Sequence, residues 1–142
     1  MESKKYEQFY HTEDIAARIY GNSLPELFEN AAFCMFDIML DVEENVEMGD
    51  IKESLNVSAP KVEDLLINWL NELLHLASTK DLYFTKYKIL CLEENKIEAE
   101  IWGMSKFFCS LFMKKEIKQA MYHDVNIRQE KKGYSVDIVF DV

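Results

Sequence analysis

The sequence predicts an α+β fold in which two helices pack on one face of a mainly antiparallel β-sheet, and three observations carry that expectation. Two stretches, residues 22–40 and 60–78, repeat apolar residues at helical spacing, and several others alternate apolar with polar residues at period two. The second half consists mostly of strand-like runs joined by short turns, the pattern of antiparallel pairing.

Taken in order, "KYEQFY" (5–10) reads as a short strand, and "IAARIYG" (15–21) as a half-buried one with Ile15, Ala17 and Ile19 on one face and Arg18 and Tyr20 on the other. The first helix carries Leu24, Leu27, Phe28, Ala31, Met35, Ile38 and Met39 as its apolar stripe. Ser23 followed by Glu26 forms a capping box, and Pro25 falls in the first turn, where its missing N–H is harmless. An acidic connector leads to a strand at 51–59 with Ile51, Leu55 and Val57 set against Lys52, Ser54 and Asn56. The second helix presents Val62, Leu65, Leu66, Trp69, Leu70, Leu73 and Leu76, a stripe wide enough to lie across a sheet. Strands follow at 82–93, 97–103, 117–131 and 134–142, with turns at 94–96 and around Lys132-Gly133. Between them, "MSKFFCSLFMKKEI" (104–117) reads as a short packed helix with Phe107, Leu111 and Phe112 on its apolar side.

The totals narrow the class. A chain of 142 residues with no repeat and no linker, and only four glycines and two prolines, reads as a single domain over 1–142. A formal charge of -10 repels phosphate backbones, so strong direct nucleic-acid binding is not expected. The same charge suits cations and basic protein surfaces, although a solvated acidic face accounts for it equally. Cys34, Cys91 and Cys109 lack any C-x-x-C spacing and read as reduced thiols. No signal-peptide core and no run of about 18 apolar residues occurs, so the expectation is a cytoplasmic protein without a membrane span.

The final hairpin raises an electrostatic question. With Lys132-Gly133 as a two-residue turn, Ile127 lies opposite Ile138, Val125 opposite Phe140 and His123 opposite Val142, and the other face then sets Asp124 against Asp141. Two carboxylates about 5 Å apart repel by roughly 1 kcal/mol in water and about 3 kcal/mol at an effective dielectric of about 20. Solvent on an exposed face relieves that, or a bound cation does. The free α-carboxylate expected at Val142, beside the Asp141 side chain, adds the mixture of oxygens that hard cations such as calcium use. Among the histidines, His75 reads as a boundary residue, His123 as a hydrogen-bonded core residue on the apolar face of its strand, and His11 as a loop residue or one reaching a site. No H-E-x-x-H, G-x-S-x-G or Ser-His-Asp signature accompanies them.

The segments "HTEDIAARIYG", "LFENAAFCMFDIMLD", "DLLINWLNELLHL", "EIKQAMYHDV" and terminal "VFDV" occur in one order, and with them the chain resembles the archease family over nearly its whole length. That resemblance implies an archease-like fold. It also implies a role as accessory protein of the RtcB-type RNA ligase of tRNA splicing, promoting guanylylation and multiple turnover of the ligase without being an enzyme itself. It implies a metal site, with calcium as the expected ion, at Asp14, Asp141 and Val142. Asp41, Lys118, His123 and Asp124 lie in matching motifs too, as residues that would surround the ligands or form a contact surface and not as ligands themselves. The chain departs from the family after Gly103, where "MSKFFCSLFMKKEI" replaces a polar loop. Two other functions fit the residues: a metal-dependent phosphoesterase, and a metal-free, chaperone-like protein-binding module.

Overall fold

The computed structural model describes residues 4–9, 14–40, 49–109 and 113–142, with the backbone alone at 108 and 109. Along the chain run β1 (Tyr6–Phe9), β2 (Ile15–Gly21), α1 (Leu24–Met39), β3 (Ile51–Ser58), α2 (Val62–Lys80), β4 (Leu82–Leu92), β5 (Lys96–Ser105), a single turn α3 (Lys106–Cys109), β6 (Gln119–Ala120), β7 (Arg128–Glu130) and β8 (Gly133–Asp141). The α+β class is as the sequence predicts: two long helices and antiparallel pairing throughout.

The strands divide between two sheets. One has the order β1-β2-β8-β6 with β7 also paired to β8, and the other the order β3-β5-β4. The reason lies in α1, which buries Leu27, Phe28, Ala31, Ala32, Met35, Phe36 and Ile38 and so is apolar on nearly every side. A helix of that kind needs cover on both flanks. It packs on β2 and β8 of the first sheet and β4 of the second, while α2 packs on β3, β4, β5 and β6.

The ends of the helices follow from local chemistry. The Ser23 hydroxyl accepts the Glu26 N–H at 3.2 Å in an extended N-cap conformation. We expect Ser23→Ala to cost about 1 kcal/mol, read as a lower urea midpoint with an unchanged slope. α2 runs on to Lys80 and stops where Asp81 turns left-handed at φ 56°, its N–H bonded to the Ala77 carbonyl.

The segment after Gly103 differs from expectation. β5 continues to Ser105, the helix described after it is the single turn Lys106–Cys109, and Phe107 is 89 % exposed instead of packed. Leu111 and Phe112 lie outside the described residues. The chain is tied down again at Met113 and Lys114: Met113 bridges Leu40, and the Lys114 N–H donates to the Met39 carbonyl at 2.8 Å. Among the described residues no helix is long and apolar enough to cross a membrane.

Candidate metal centre

The pairing of β2 with β8 builds the site. Ile15 faces Phe140 and both side chains enter the core, as do Ala17 beside Ile138 and Ile19 beside Val136. Asp14, in the bend before β2, and Asp141, the last residue of β8, each stand one residue beyond the final pair of that register, Ile15 with Phe140. Both aspartates are half-buried, and the neighbouring Val142 packs against the rim of the core.

β6 closes the other side of Asp141. Gln119 pairs with it across the sheet, donating from Nε2 to Oδ2 at 3.3 Å, and the Lys118 N–H donates to the Asp141 carbonyl at 2.8 Å. Among the described residues the Asp141 carboxylate therefore has a neutral amide as its partner, with no lysine or arginine on it. A groove of about 820 Å³ between α2 and the segment 113–122 reaches Gln119 and Lys118, with the exposed His75 and Tyr122 on its wall.

The predicted partner of Asp141 on the hairpin is not there. The turn falls at residues 131–132, so Arg128 faces Ser135 and Glu130 faces Gly133, and the chain between Met121 and Ile127 leaves the sheet altogether. Its polar captors sit on α2. The Asn71 amide makes both bonds to the Ala120 backbone, at 2.7 and 3.1 Å, Tyr122 donates to Asn68 at 2.5 Å, and the Ile127 N–H donates to Glu63 at 3.4 Å. Asp124 consequently occupies an exposed turn at φ 55° with the equally exposed His123 beside it at 2.9 Å. Neither His123 as a core residue nor Asp124 opposite Asp141 survives. His11 and Asp41 lie outside the described residues.

Further along the outward face stands a charge network that sequence reading did not find. Arg18 makes two bonds to Asp137, at 2.8 and 3.1 Å, and Arg128 approaches the same carboxylate at 3.0 Å while its Nε donates to the buried Ser135 at 3.1 Å. The Arg18 guanidinium first, and Arg128 after it, hold the Asp137 carboxyl down at about 2, against desolvation pulling the other way. A depressed folded-state value means that this stabilisation is present above the ordinary carboxylate range and is lost as pH falls through about 2. The stability difference between the wild-type chain and Asp137→Asn, discounted for solvent to about 1 kcal/mol, is expected to be constant above roughly pH 5 and to fall away between about pH 4 and pH 2 in acid-dependent urea unfolding.

The donors at Asp14, Asp141 and Val142 are all oxygen, the set suited to a hard divalent cation. Among the described residues no group of three or more His, Cys, Asp and Glu side chains converges.

Comparison with known proteins places this geometry among relatives. The profile of the archease protein family matches residues 6–142. Protein archease of Methanosarcina acetivorans is 32% identical over 145 residues, covering 99% of this chain and 98% of the relative. Protein archease of Sulfurisphaera tokodaii is 33% identical over 141 residues, covering 98% and 99%. The solution structure of Methanobacterium thermoautotrophicum protein 1598 superposes with a TM-score of 0.81 at 27% identity, over 97% of this chain and 99% of that one. The crystal structure of a Thermotoga maritima archease, described as a possible chaperone, has the same fold at a TM-score of 0.66 and 22% identity, over 100% and 98%.

Proposed function

This chain belongs to the archease family, and from that premise we propose that it is an accessory activator of an RtcB-type, tRNA-splicing RNA ligase, promoting ligase guanylylation and repeated turnover. The observation that supports the reading is that Asp14 and Asp141 each stand one residue beyond the last β2–β8 pair, Ile15 with Phe140. With the backbone oxygens of Val142 they would hold a divalent cation, calcium being the ion whose flexible all-oxygen coordination suits such a set. When bound, the cation offsets the repulsion of the paired carboxylates. The chain's own part is to keep both carboxylates at the sheet's end and to present that acidic end to a protein partner.

The reading assigns no catalysis to this chain. Purified protein is expected to raise guanylylation and multiple-turnover ligation by a purified RtcB-type ligase, and to hydrolyse no nucleotide alone; equal ligase rates with and without it would refute the reading. Calcium at 100 times its dissociation constant should stabilise the free protein by about 2.7 kcal/mol. Stimulation without any such stabilisation would make it a metal-free protein-binding module instead.

A further inference from the structure

The outer face of the three-stranded sheet carries a second assembly, remote from the aspartates. Register sets Lys52 of β3 and Lys86 of β4 on either side of Trp102 of β5. The Lys86 ammonium lies 4.7 Å from the indole centroid and the Lys52 ammonium 5.6 Å. Lys88 is next on the same face of β4, about 6.7 Å along the strand, and it flanks Glu100, which is ion-paired to Lys52. Two ammoniums thus flank one indole and a third stands one strand pair further along the face, with one carboxylate directly among them, on a chain of formal charge -10.

Trp102 is half-buried, and covering the open part of such a ring with an aliphatic stem is a common use of lysine. One stem would suffice for that, and Lys88 contributes none to the ring. An acidic protein segment would engage the ammoniums but leave the indole without a role. A flat aromatic on an open sheet, with cations on the flanking strands, matches the stacking platforms that hold single strands.

We propose that this face binds single-stranded RNA, one base stacking on Trp102 while Lys52, Lys86 and Lys88 take the adjoining phosphates. The ammoniums exchange exposed cation–π contacts for phosphate, and exposed contacts of that kind are weak. The overall negative charge does not forbid this, because at physiological ionic strength charges more than about 8 Å away are largely screened. The inference does not depend on the metal reading, since it uses the other sheet.

Tryptophan fluorescence provides a clean probe: Trp69, the other tryptophan, is fully buried, so an added strand reports on Trp102. Titration of the full chain with an oligouridylate of about eight nucleotides in roughly 50 mM salt should quench saturably, with a log–log salt slope of about -2 from three phosphate contacts. Lys86→Glu combined with Lys88→Glu, both at exposed positions, and separately Trp102→Leu, should each weaken binding about ten-fold or more. Trp102→Phe should retain most of it, which separates loss of the platform from loss of the fold. Absence of saturable quenching overturns the proposal. So does equal binding of poly-glutamate unaffected by Trp102→Leu, which would make the face a dock for an acidic protein segment.

Discussion

Asp141→Asn is expected to return ligase guanylylation and turnover to the rate seen without this protein, while leaving the fold intact. The substitution keeps the shape of the side chain, and the asparagine oxygen can still accept from Gln119, whose bond to Asp141 is 3.3 Å long. What disappears is one of the two carboxylates that stand one residue beyond the last β2–β8 pair. Two carboxylates drawn to about 5 Å by a shared site would repel by roughly 1–3 kcal/mol, depending on the effective dielectric. In chelator-treated buffer the variant should therefore melt no lower than the wild-type chain. Excess calcium should reverse the order, because only the wild-type chain retains both charged donors. Asp137→Asn is the matched control: it removes a carboxylate from the same face, one already occupied by Arg18 and Arg128, and should leave both calcium response and stimulation unchanged. A variant at Asp141 that still stimulates fully would detach this end of the sheet from function.

Those two aspartates also show what a sequence can and cannot disclose. The bounds of β2, α1 and β3 follow from local periodicity and capping, since Ile15, Ala17 and Ile19 must share a face wherever the strand ends up. Which strand lies beside β2 is a different matter. Its partner β8 is more than a hundred residues away, so the pairing that brings the end of β8 to the start of β2, and the Arg18–Asp137 contact, have no local signal. The resemblance to a family supplied Asp14; the hairpin argument supplied the wrong partner for Asp141. It erred because apolar matching across a turn considers only two strands, whereas Asn68, Asn71 and Glu63 of α2 draw residues 120–127 out of the hairpin. Tertiary hydrogen bonds to a helix outweighed a plausible register. Likewise, Phe107 looked buried because its neighbours are apolar, and nothing local shows that β5 runs on to Ser105 and leaves Phe107 in the exposed turn after it.

The largest loss of stability is expected at Trp69. Its side chain is fully buried between the two sheets, and its indole N–H donates to the Phe28 carbonyl at 3.0 Å, joining the middle of α2 to α1. Trp69→Ala removes the largest of the fully buried side chains and strips a partner from that carbonyl. Truncation of a buried tryptophan costs about 3–5 kcal/mol from lost burial and the cavity left behind, and the lost indole hydrogen bond adds about 1 kcal/mol, although the Phe28 carbonyl keeps its place in the α1 ladder. At roughly 3–4 °C per kcal/mol for a chain of this size, the melting temperature should fall by about 10–20 °C. Trp69→Phe isolates the two contributions, because it keeps most of the apolar volume and loses the donor; it should cost about 1–3 kcal/mol. If the two variants were equally destabilised, the hydrogen bond rather than the packing would dominate. The joint matters for function because α2 also carries Asn71, which fixes Ala120 and with it β6 against Asp141. A chain with Trp69→Phe, folded but with a looser α1–α2 contact, is therefore expected to stimulate the ligase at ordinary temperature and to lose stimulation at a lower temperature than the wild-type chain does, as its global unfolding requires.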